Sequence, residues 1–191
     1  MPRDIIIGDH PVYPSSSLNN IRRKLKPHGR GDASAAVAIL FRDKKGEPEL
    51  LLVKRADVPG DPWSGDMAFP GGKRGPQDRD IRDTVAREVK EETNIDLGSD
   101  LYLGSMDSVF SMVRPDLTIL PLVFLQESEP DIKINDELTS FHWAIFNNLE
   151  GSRGTAMVKA REVPVFHVDG EVIWGLTYRI IENLLELARE N

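Results

Sequence analysis

The chain has 191 residues, enough for one domain with a buried core, and its apolar content of 40% is that of a globular protein. Its net charge of -7 argues against a general nucleic-acid binder, and an anionic ligand would need local cations or a metal. Cysteine is absent, which excludes disulfides, thiolate metal sites and cysteine nucleophiles. With no signal-peptide pattern and no apolar run near about 18 residues, a cytoplasmic, non-membrane protein is expected.

Residues 1–14 carry Pro2, Pro11 and Pro14 and read as irregular. Ser15-Ser16-Ser17 offers an N-cap, and Leu18, Ile21 and Leu25 then recur at helical spacing up to Pro27. The other face of this short helix holds Arg22, Arg23, Lys24 and Lys26, a solvated basic face or a contact for phosphate. Residues 1–30 are taken as part of the same unit as 31–191. Ala35–Arg42 is a strand, Lys44–Glu47 a turn and Glu49–Arg55 a second strand. Residues 57–66 hold Pro59-Gly60-Asp61-Pro62 and Ser64-Gly65 and form a loop. After Phe69-Pro70-Gly71-Gly72, Asp80 or Asp83 caps a helix that runs to about Thr93, where Asn94 suits a left-handed ending. Leu101–Met106, Leu117–Leu125 and Phe141–Phe146 are strands. Ile180, Ile181, Leu184, Leu185 and Leu187 make a C-terminal amphipathic helix. Strands and helices intermix, so an α/β or α+β layered fold is expected.

The helix after the glycines carries the most information. At about 100° per residue, Glu91 and Glu92 fall within roughly 60° of Glu88 on either side. Ile81, Val85 and Val89 share that sector, so the acidic arc is not simply the solvent face. Like charges three and four apart repel, and acids near a helix C-terminus oppose its dipole. Both penalties make sense if a hard cation, Mg2+ or Mn2+, binds there and acts on a phosphate substrate. His10, His28, His142 and His167 show no ligand spacing, and Trp143 and Trp174 read as core residues.

Gly71-Gly72-Lys73 followed by Arg87, Glu88, Val89, Glu91, Glu92 and Ile95 resembles the Nudix box, G-x5-E-x7-R-E-U-x-E-E-x-G-U with U apolar. Asn94 stands where that pattern has glycine. The loop is one residue longer, with Asp78 as the acid nearest the first glutamate. Leu50–Arg55, Gly65–Lys73 and Ile173-Trp174-Gly175-Leu176-Thr177 are similar to the subgroup that includes coenzyme A diphosphatases. That subgroup's second arginine, between Arg55 and Gly65, is missing.

The resemblance implies a Nudix-type α/β/α sandwich with a mixed central sheet over 31–191. It implies metal-dependent hydrolysis of a nucleoside diphosphate derivative, coenzyme A or a derivative first. The alternatives are ADP-ribose or a nucleotide sugar, or a catalytically silent nucleotide-binding module. It makes Glu88 and Glu92 the primary ligands of Mg2+ or Mn2+ and Glu91 a further ligand or water-orienting group. The carbonyl of Gly71 or Gly72 completes the shell, Arg87 holds the geometry, and Glu137 resembles a distal glutamate that serves as general base. Arg55 and Lys73 are candidate phosphate contacts and Trp63 a candidate stacking residue. The small molecule is the expected partner, without nucleic acid or membrane, and a homodimer stays open.

Overall fold

A computed structural model describes residues 5–6, 11–13, 15–27, 33–99 and 101–190. In chain order its elements are β1 (Ile5–Ile6), β2 (Pro11–Val12), α1 (Ser16–Lys24), β3 (Ala35–Lys44), β4 (Glu47–Arg55), β5 (Met67–Ala68) and β6 (Gly71–Lys73). There follow α2 (Ile81–Thr93), β7 (Leu101–Ser105), β8 (Val109–Phe110), β9 (Thr118–Gln126) and β10 (Leu138–Ile145). The chain closes with β11 (Arg153–Val158), β12 (Arg161–Val168), β13 (Glu171–Ile173) and α3 (Gly175–Ala188). Ser15 caps α1 as expected, accepting from Leu18 N–H. The first segment, read as irregular, differs: β1 and β2 pair antiparallel, Ile5 opposite Val12. Pro2, His10, Pro14 and His28 lie outside the described residues.

The main sheet runs β10-β4-β3-β9-β7. It is mixed, because β3 and β9 run parallel from Ala35 opposite Ile119 to Arg42 opposite Gln126, whereas β10–β4, β3–β4 and β7–β9 are antiparallel. Side chains alternate across β3, as strand geometry requires. Ala35, Ile39 and Phe41 face Leu18 and Ile21 of α1, Leu25 just past its end, and Ile180, Ile181 and Leu184 of α3. Ala36, Ala38 and Leu40 face Ile81, Val85 and Val89 of α2. The result is the expected α/β/α sandwich, with α2 alone on its face among the described α-helices.

β3 and β4 pair only from Phe41 opposite Leu50 to Lys44 opposite Glu47. Beyond that they part, and the fork is filled by β5 on β4 and β6 on β3. This fork lies under α2 and sets the floor of the site.

A three-stranded sheet, β11-β12-β13, stands apart from the main one and adds to the strands expected from sequence. β11 alternates exposed with half-exposed residues and has no buried side chain, so it lacks the apolar signature of a strand. Phe166 and Ile173 anchor this sheet to the α1–α3 side of the core. Among the described residues no helix is long and apolar enough to cross a membrane.

Candidate active site

Two caps fix α2. Asp80 accepts from the N–H groups of Arg82 and Asp83, and Asn94, at φ 64°, returns its N–H to Lys90 O. Between them the three glutamates meet three environments. Glu92 is 4% exposed, beside Val85 and Val89, and accepts from Gly71 N–H at 2.9 Å. Desolvation pushes its pKa up to about 7. The Gly71 N–H opposes this, the charges of Glu88 and Glu137 add to it, and Arg55 offsets part. Glu88 is half-buried, and its pKa is raised chiefly by desolvation, against the pull of Arg87. Glu91 is exposed.

The glycines make this proximity possible. A Cβ on Gly72 would stand 2.5 Å from the Glu88 carboxyl carbon. Gly71, at φ 146°, lies against β3, where a Cβ would come within 2.7 Å of Val37 Cα.

Arg87 holds the assembly. Its Nε and Nη2 each donate to Asp78 at 3.0 Å, a bidentate pair. Nη2 also reaches Lys73 O at 3.3 Å, and Nη1 lies 2.9 Å from Glu88 Oε1 and 3.2 Å from Glu91 Oε2. Asp78, its side chain only 3% exposed, is held well below the usual carboxylate range by Arg87 and by the Gly75 N–H. Asp78 thus serves as the anchor of Arg87, which ties the glycine loop to α2.

Glu137 arrives by backbone hydrogen bonding. The last carbonyls of a helix lack intrahelical donors. Here Asn135 N–H donates to Glu92 O at 3.1 Å and Lys133 N–H to Thr93 O at 3.0 Å. This docks the segment before β10 onto the end of α2, and the exposed Glu137 acts electrostatically on both Glu88 and Glu92.

Arg55 ends β4 beside this group and lowers the pKa of Glu92. Its Nη2 donates to Asp61 Oδ2 at 2.7 Å, while its buried Nε has no hydrogen-bond partner. Trp63 is half-buried in the adjoining loop, its N–H donating to Asp61 Oδ1 at 3.0 Å. Lys73 is not brought to the carboxylates. It pairs with Ala35, whereas Gly72 pairs with Ala36, so Lys73 projects to the face opposite α2. Helix α1 packs on the other side of the sheet from α2, and of its basic residues Arg22 acts electrostatically on Tyr102, the ring that Arg82 of α2 covers. Arg23 bonds Asn20, Lys24 bonds Arg189 O, and Lys26 pairs with Asp107.

Trp143 and Trp174, expected in the core, are partly buried, and Trp143 packs against the α2-side core. Arg42 stacks over the Trp143 ring, and Trp174 Nε1 donates to Asp66 Oδ1 at 3.0 Å. His142 contacts Ser140 and lies 3.5 Å from Asp169, away from the glutamates. Asp61, Asp66 and Lys159 were not singled out in the sequence. Their partners are set by loop geometry and distant pairing that residue type does not reveal.

Among the described residues no three His, Asp or Glu side chains stand already grouped to hold a metal ion. What the site offers is a buried carboxylate, Glu92, repelled by a half-buried one, Glu88, with a Gly72 backbone cradled against Glu88 and Glu137 nearby. Oxygen donors of this kind suit a hard divalent cation and give no purchase to a soft one.

Residues 32–163 match the NUDIX domain. The chain is 28% identical over 165 residues to the mitochondrial coenzyme A diphosphatase NUDT8 of Mus musculus, covering 81% of this chain and 78% of that protein. It is 33% identical over 161 residues to the uncharacterized Nudix hydrolase NudL of Yersinia pestis (strain Pestoides F), with 81% and 78% covered. The crystal structure of RenU, a Nudix hydrolase from M. smegmatis, superposes with a TM-score of 0.57 at 14% identity, over 83% of this chain and 87% of that one, a likeness of fold. The chain belongs to the NUDIX domain family and is a Nudix hydrolase.

Proposed function

We propose that this protein hydrolyses the diphosphate bond of a nucleoside diphosphate derivative with Mg2+ or Mn2+, and that coenzyme A or a derivative is its substrate. The observation that carries the reaction is the burial of Glu92 beside Glu88 in the field of Glu137. Such a group is unfavourable alone and becomes favourable around a divalent cation. Glu88 and Glu92 would hold the ion, with the Gly72 carbonyl and Glu91 as further donors. When bound, the ion neutralises diphosphate charge and makes water more acidic.

The chain's own groups do the rest. Arg87, gripped by Asp78, keeps Glu88 and the Gly71–Lys73 backbone in register. Glu137, exposed at the edge of the group, accepts the proton of the attacking water. Arg55 offers its unpaired Nε to a phosphate oxygen, and Trp63 lies beside it for the apolar part of the substrate. Support for coenzyme A comes from the named activity of the NUDT8 relative. A second reading, ADP-ribose or a nucleotide sugar, is favoured by one observation. Helix α1 packs across the sheet from α2, and Arg23, Lys24 and Lys26 are engaged by Asn20, Arg189 O and Asp107, so they give no cationic site for a 3′-phosphate at the glutamates.

The test is a panel of coenzyme A, 3′-dephospho-coenzyme A, ADP-ribose, dinucleoside polyphosphates and nucleoside triphosphates, assayed with each metal. Coenzyme A cleaved with the highest kcat/KM is the expected result. Faster cleavage of ADP-ribose would select the second reading, and no cleavage of any diphosphate would overturn both.

A further inference from the structure

The loop between β4 and β5 is a closed unit. Arg55 N–H donates to Asp66 O at 3.1 Å across its base. Inside it, Val58 N–H bonds Ser64 Oγ at 2.7 Å, Trp63 N–H bonds Asp61 Oδ1 and Asp66 N–H bonds Trp63 O. It touches the site at two points: Asp61 holds the Arg55 guanidinium, and Ala56 N–H donates to Glu137 O at 2.8 Å.

Its third attachment comes from the tip of the β11–β12 hairpin. Lys159 Nζ donates to Pro62 O at 2.6 Å, lies 3.4 Å from Asp66 Oδ2, and sits 4.9 Å from the centroid of the Trp174 ring. Trp174 Nε1 holds the other oxygen of the same carboxylate. The hairpin turn places both Lys159 and Ala160 in the left-handed region, at φ 49° and 63°, where asparagine and glycine are the favoured residues. The turn accepts two unfavoured residues, and the lysine at its tip is the group that reaches the loop.

We infer that Lys159, with Trp174, is a positioning residue that straps the 56–66 loop over the active site and thereby sets substrate affinity. The inference rests on the diphosphatase reading. The strap joins two elements on opposite sides of Asp66, so its removal frees the loop without touching the glutamates. Binding of the substrate must then order the loop, a cost that raises KM while the chemical step is left alone.

Two measurements test this. Hydrogen exchange of the free protein should show amides of residues 57–65 exchanging at least tenfold faster in Lys159→Ala, with Lys159→Arg restoring protection. On the best substrate of the panel, Lys159→Ala should raise KM about fivefold or more with kcat within twofold, and Trp174→Phe should follow the same pattern. Unchanged exchange in Lys159→Ala overturns the strap. Faster exchange with unchanged KM, or a fall in kcat at constant KM, overturns its role in affinity. A wild-type protein inert on the whole panel overturns the diphosphatase reading, and the affinity claim with it, while exchange still reads the strap by itself.

Discussion

Glu92 shows how burial and charge divide the work at a single residue. Its carboxyl has a pKa raised to about 7, so in the metal-free protein the stability it allows is complete below the unfolded value near 4.5 and is lost as pH rises through about 7. Metal-free protein should therefore melt about 5 °C or more lower at pH 8 than at pH 5.5, and Glu92→Gln should shrink that difference, leaving the smaller part that the raised Glu88 supplies. The same substitution should lower turnover by at least about 100-fold at saturating metal, the scale found for groups that stabilise charge in catalysis. Near wild-type turnover would end the ligand assignment. Arg87 offers a contrasting case, because its value lies in shape as well as charge. Lysine cannot reproduce the planar fork that grips both oxygens of Asp78. Arg87→Lys should lose at least about tenfold in kcat/KM with an unchanged far-UV circular dichroism spectrum, and full activity would reduce Arg87 to a surface charge.

At the scale of elements, α2 was legible because every signal agreed. Asp80 at the start, apolar residues at helical spacing and Asn94 at the end each took the role their chemistry suggests. The segment before β10 was not legible as a docking unit, since its bonds to Glu92 O and Thr93 O are made by backbone N–H groups that any sequence carries. It is nonetheless what brings Glu137 to the site. If Glu137 is the general base, Glu137→Gln should lower kcat with KM little changed and flatten the acid limb of the pH–rate profile. An unaltered profile would return the role to Glu91. The β11–β12 hairpin carries little signal for a different reason: it is stabilised by contacts at its ends, and the middle of β11 stays half in solvent.

At the scale of the molecule, the sheet separates two chemistries. The acidic site and α2 lie on one face, and the basic α1 packs beside α3 on the other. The sequence showed both patterns and the layered architecture. It could not show which face each helix takes, because that depends on the path of the chain through β3 and β9. Neutralising Arg22 and Arg23 together should accordingly leave KM for coenzyme A and for its 3′-dephospho form within about twofold of wild type. A tenfold rise for coenzyme A alone would mean that the cluster reaches the substrate after all.

The parallel pairing of β3 with β9 also bears on how activity is gained in time. Arg55, Trp63, Gly72, Asp78, Arg87 and all three helix glutamates lie in the stretch of chain between those two strands. Bringing the strands together closes a long loop, a step that is entropically late and slow compared with forming a helix or a hairpin. During refolding, α2 and the β11–β12 hairpin can form early, yet Glu137, which follows β9 in the chain, joins Glu88 and Glu92 only once β9 and β10 are seated in the sheet. Recovered hydrolysis should therefore track the slowest spectroscopic phase of refolding, with no active species ahead of it, and the enzyme's own turnover becomes a clock for closure of its central sheet.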